Sequence, residues 1–125
     1  MASDLSFAEY ICEQGRIGNR LRLAKMFGEF ALYCDDAGTD KVVILICGNQ
    51  CFIKPTPEGE ALLADHLGSN ISDLVKAPPY PSAKPHFHID SLLDDAPFLS
   101  RLIRVTAQAL PVPKLKKPNK PKGGC

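Results

Sequence analysis

No apolar run in the 125 residues is longer than the six-residue Val42–Cys47 stretch. A bilayer needs about 20 such residues in a helix, so a membrane-spanning helix and membrane partners are not expected. The opening MASDLSFAEYI is acidic and too polar for a secretory core segment. A Gly-rich phosphate loop, a nucleophile elbow, a dinucleotide fingerprint and any internal repeat are all missing. There are five cysteines, an odd number, and no two of them have the short paired spacing of a zinc knuckle. These absences point to a cytoplasmic protein with reduced thiols. No cofactor is expected, and no enzymatic activity.

The composition that is present is ordinary for one globular domain: 45% apolar, 23% charged, and long enough to bury a core without metal or disulfide. The net charge of +1 hides an uneven distribution. Residues 1–113 hold ten Lys and Arg against fourteen Asp and Glu, a net of −4. The remaining twelve carry five lysines (Lys114, Lys116, Lys117, Lys120, Lys122) and no acid, a net of +5. An acidic body gains nothing from a phosphate backbone, so nucleic acid would have to be met by these tail lysines. The tail has no aromatic to stack on bases and no arginine to read guanine, so its contribution would be weak and non-specific. Rich in Lys, Pro and Gly, residues 111–125 read as a disordered tail beyond a domain at 1–110.

Periodicity divides the body into elements. Phe7, Ala8, Tyr10 and Ile11 at helical spacing predict a first helix over about 4–15, with Ser6 and Glu9 matching a capping box and Ser3 as an alternative cap. Leu21 and Leu23 alternate with Arg20 and Arg22, which predicts a strand with one wet face over 20–26. A second strand is expected at 29–34, a turn at 35–40, and a central strand at Val42–Cys47. Gly48-Asn49 then makes a two-residue hairpin turn into a fourth strand over 50–54. Thr56-Pro57 starts a second helix that ends near Gly68. Four prolines in residues 77–85 exclude helix and central strand there and predict an extended surface crossing. A short fifth strand follows, Phe87 and Ile89 on one face and His86 and His88 on the other, on the edge of the sheet. A last helix starts near Asp95 and is ended by Pro111. The expected fold is therefore two-layer α+β: a four-stranded meander plus a fifth strand, mostly antiparallel, with helices on one side.

The segment Lys25-Met26-Phe27-Gly28-Glu29-Phe30-Ala31-Leu32-Tyr33, with Cys51-Phe52-Ile53-Lys54 and Pro79-Tyr80-Pro81, resembles the signature of the TfoX N-terminal domain family over roughly residues 3–110. That resemblance implies a secretion-chaperone-like α+β fold and a role in regulating competence. Full-length members carry a second, helical domain where this chain has its Lys-rich tail, so the likeness is to a stand-alone N-terminal domain. The signature positions are Lys25, Met26, Phe27, Gly28, Phe30, Tyr33, Lys54 and Tyr80. In physical terms Gly28 permits a bend between two strands, so that Met26 and Phe27 are expected to cover opposite sides of that corner as a packing device, with a ligand or partner site there as the alternative.

Chemical constellations give less. His86 and His88, two apart on a strand, share a face and could chelate a transition metal. A structural site wants four ligands, however, and His66 is the one other histidine. They read instead as solvated edge-strand residues. Cys34, Cys47 and Cys51 lie in apolar strand contexts, where free cysteine is a small core residue rather than a nucleophile. Asp35, Asp36 and Asp40 belong to a turn, and Asp94 and Asp95 to a helix cap. The leading expectation is a non-enzymatic regulatory domain that works through a protein partner, with Tyr80, Lys84, His86 and His88 as contact candidates and a homodimer as a further possibility. The alternatives are a DNA-associated regulator using the tail and a metal-dependent protein using His86 and His88.

Overall fold

Turn chemistry sets the sheet. The computed structural model describes residues 4–26, 29–68, 74–79 and 84–111, apart from the side chain of Met26. Strands β1 (Leu21–Met26), β2 (Glu29–Asp36), β3 (Thr39–Cys47) and β4 (Gln50–Ile53) form an antiparallel meander. Two of its connections are two-residue turns with both residues left-handed: Ala37 and Gly38 at φ 53° and 90°, Gly48 and Asn49 at φ 58° and 57°. Such turns twist in the sense of the strands they join. Between Leu32 and Tyr33 the β2–β3 register slips, leaving Val43 as the extra residue of a bulge, fully buried.

Three helices follow the expected spans: α1 (Leu5–Gly15), α2 (Pro57–Leu67) and α3 (Ala96–Ala109). Thr56 caps α2 by accepting from the Gly59 N–H at 2.9 Å, with Pro57 in the first turn. Asp95 caps α3 by accepting from the Phe98 N–H at 3.2 Å. At α1 the expected box is not used. The cap position is Asp4, its side chain makes no capping bond, and Ser6 lies inside the helix.

Among the described residues the sheet has six strands rather than five. Val75–Ala77 forms β5 and pairs antiparallel with β6 (His86–His88), giving the order β1-β2-β3-β4-β6-β5. A three-residue strand running straight into prolines carries no readable alternation, which is why the sequence conceals it. The consequence is a correction: β6 lies between β4 and β5, so His86 and His88 are not on an edge, and His86 is only 8% exposed.

The main core lies between one face of the sheet and the helices. Phe30, Leu32, Ile44, Ile46, Ile53 and Phe87 meet Ile11, Leu63, Leu99, Leu102 and Ile103 there. The register partners Ala31, Leu45 and Phe52 form a second buried row on the opposite face. Helix α3 is the common neighbour of α1, α2, β2 and β3. Gly59 lets α2 approach it closely: a Cβ there would lie 3.2 Å from Thr106 Oγ1 and 2.9 Å from Thr56 Oγ1. Asn19 bridges the end of α1 to α3, donating to the carbonyls of Gly15 and Ser100 at 2.8 and 2.9 Å.

Candidate functional site

The residues singled out from sequence disperse over the fold. Of the signature positions, Phe30 is buried in the core and stands opposite exposed Lys25 in the β1–β2 register. Tyr33 and Lys54 line a shallow groove of about 480 Å³ with Asp40, Val42 and Leu110, and the Arg22 guanidinium lies 4.2 Å above the Tyr33 ring. Phe27, Gly28, Tyr80, Lys114, Lys116, Lys117, Lys120 and Lys122 fall outside the described residues, as does the side chain of Met26.

Among the partner candidates, Lys84 is exposed, His88 half-buried and His86 buried. The His86 Nδ1 bonds to the Lys84 carbonyl at 2.8 Å. Its Nε2 and that of His88 are buried without a hydrogen-bond partner among the described residues. Burial pushes the His86 pKa down from its ordinary value, and the positive charge of Lys54 adds to that shift. His88 packs edge-on against Phe52 at 5.3 Å and lies 3.7 Å from the Asp90 carboxylate. The described residues contain no group of three or more His, Cys, Asp or Glu arranged to hold a metal ion.

Thiol chemistry is disfavoured on physical grounds. Burial pushes the thiols of Cys12, Cys34, Cys47 and Cys51 up from the usual range, so little thiolate is available. Cys51 is shifted furthest, since it is fully buried and faces the negative charge of Asp90, whose carboxylate accepts from the Cys51 backbone N–H at 2.6 Å.

The structure does bring a surface together around Lys84. A groove of about 500 Å³ runs between the start of α2 and the β5–β6 pair. Pro55, Thr56, Pro57 and Glu60 form one wall, Lys76, Lys84 and Pro85 the other, and Phe87 contributes at its floor. The Lys76 ammonium reaches 3.8 Å from the Glu60 carboxylate and lies 5.4 Å over the Phe87 ring. Lys84 has no ion pair among the described residues. The strand bordering this groove, β5, is the last of the sheet among the described residues, and its Val75 is 52% exposed. Prolines hold both walls at small ordering cost, a favourable setting for contact with another chain. Lys76, Glu60 and Pro55 were not singled out in the sequence, and Pro57 only as a helix start. The one clue was the repeated Pro at the start of α2 and before β6, which gives no hint that the two segments face each other.

Among known proteins, an uncharacterized 12.7 kDa protein from the trpE 5′ region of Spirochaeta aurantia is 38% identical over 118 residues, spanning 94% of this chain and 91% of that protein. No family model matches the chain. No solved structure matches it either.

Proposed function

We propose that this chain, which belongs to the family of the uncharacterized Spirochaeta aurantia protein, is a non-enzymatic regulatory domain that acts by protein contact. The observation that carries the reading is the Pro-walled groove beside the open β5 edge, with Lys84 exposed at its rim. The raised thiol pKa values support the non-enzymatic part, because the cysteines are poor nucleophiles in these settings. The TfoX-like signature supports the regulatory part. Four free thiols, at Cys12, Cys34, Cys47 and Cys51, fit a reducing compartment, and we place the protein in the cytoplasm. No helix among the described residues is long and apolar enough to cross a membrane.

The test is capture of partners from the native cell by the full chain carrying a photo-crosslinker at position 84, beside the same chain with Lys76→Glu. One protein should be cross-linked in near-stoichiometric yield and lost on charge reversal. Equal recovery by both chains, or no cross-linked protein, would overturn the reading.

A further inference from the structure

The opposite edge of the sheet carries a different pattern. Among the described residues, strand β1 has a neighbour on one side only. The Arg20 carbonyl accepts from the Asp35 N–H at 2.9 Å, so it turns toward β2. With a two-residue period, the backbone groups of Arg22 and Ala24 turn the same way, and those of Leu21, Leu23 and Lys25 turn outward. An open row of donors and acceptors of this kind is a template for another strand.

What lies beside that row is acidic. A groove of about 430 Å³ between α1 and β1 is lined by Glu9, Cys12, Glu13 and Leu23. Glu13 holds Arg16 at 2.7 Å, while exposed Glu9 has no ion pair among the described residues. Lys25, also exposed, has none either. One edge thus presents a cation on its strand and carboxylates on the helix next to it.

We propose that β1 pairs with β1 of a second copy, antiparallel about a two-fold axis at Ala24. That register sets Leu23 opposite the partner's Lys25, where both residues have outward backbone groups and bond reciprocally. It also aims the partner's Lys25 over the groove walled by Glu9 and Glu13. Because the contact is isologous, the same attraction occurs twice. No like charges stand directly opposite each other across the seam, and the small Ala24 sits at the axis. Centring on Arg22 instead would set two guanidinium groups face to face, at a cost, and centring on Leu23 would set Lys25 opposite Leu21 rather than beside the groove that Leu23 lines. The proposal is independent of the groove beside β5, which lies at the far edge of the sheet.

Sedimentation of the full chain over a concentration series tests it. The wild type should show a monomer–dimer equilibrium. Lys25→Glu and Glu9→Lys, both at exposed positions, should each weaken it about tenfold or more while leaving the circular dichroism melt unchanged. Mixing the two variants should restore a heterodimer, since each then meets the opposite charge in both contacts. A second measurement needs no charge change. In a Cys125→Ser background, Ala24→Cys should cross-link through a disulfide, because residues facing across a non-hydrogen-bonded pair have Cα atoms about 4.5 Å apart. Arg20→Cys should not. A wild type that stays monomeric throughout, a dimer indifferent to both reversals, or a mixture that does not reassociate would overturn the proposal.

Discussion

His86 is where burial and titration meet most directly. Its Nδ1 is committed to the Lys84 carbonyl, and its Nε2 is buried without a partner among the described residues. Protonation would put a charge on a buried ring near Lys54, which is why its pKa falls below the ordinary value of 6.5. A histidine depressed in the folded state binds fewer protons there than in the unfolded chain. Its stabilising contribution is therefore complete above the unfolded pKa of about 6.5 and is lost as pH falls from there through the folded pKa. Urea unfolding at pH 7.5 and at pH 5.5 should show wild type losing more stability on acidification than His86→Gln. Carboxylates common to both chains cancel in that comparison. Equal losses would remove His86 as an acid-sensitive group. The sequence placed this residue two from His88 on a shared face but gave no sign of its burial. Burial depends on whether a strand is central or terminal, and that was decided by Val75–Ala77, a segment too short to read.

The elements show more plainly what a sequence can and cannot disclose. The meander was legible because Leu21, Leu23, Phe30 and Leu32 alternate and because Gly48-Asn49 admits left-handed backbone at both positions. Helices α2 and α3 were legible from Thr56-Pro57 and from Asp95, whose caps form as read. The α1 cap was misread because two serines and an aspartate compete within a few residues, and spacing alone does not choose among them. The candidate site was the least legible part: its walls come from the ends of separate elements, brought together by sheet order. The Ala37-Gly38 turn has the same geometry as Gly48-Asn49 but puts alanine at φ 53°, where a Cβ meets the following carbonyl. Gly38 beside it already has the residue its φ favours. Ala37→Gly should therefore stabilise the protein by about 1 kcal/mol, part of the steric relief being offset by the greater freedom of glycine in the unfolded chain. A raised urea midpoint with unchanged m-value is the expected result, and a lowered midpoint would mean that the turn is not held as described.

At the scale of the whole molecule, the last helix in the sequence is the piece on which the others converge. Helix α3 closes the core over β2 and β3, seats α1 and α2, and leaves the two sheet edges, β1 and β5, at opposite ends. The two proposed contacts can therefore be made at once. Its C-terminal end is joined to the meander by a single buried ammonium. Lys41, 4% exposed, donates to the Asp36 carboxylate at 2.8 Å and to the carbonyls of Ala107 and Leu110 at 2.9 and 2.8 Å. All three of its N–H donors are used, two of them on the negative end of the helix, where a cation is favoured. Replacing it by a methionine of similar length keeps the apolar stem but leaves a carboxylate and two carbonyls short of a donor. Asp36 retains 28% side-chain exposure and can recover some water, which limits the penalty. Lys41→Met should cost about 2–3 kcal/mol of unfolding free energy, between the loss of an ordinary hydrogen bond and the breaking of a fully buried pair. Hydrogen exchange should quicken together in the last turn of α3 and in the β2–β3 hairpin, because one side chain holds both. A loss below about 0.5 kcal/mol, the range of ordinary surface substitutions, would show that the core alone keeps α3 in place.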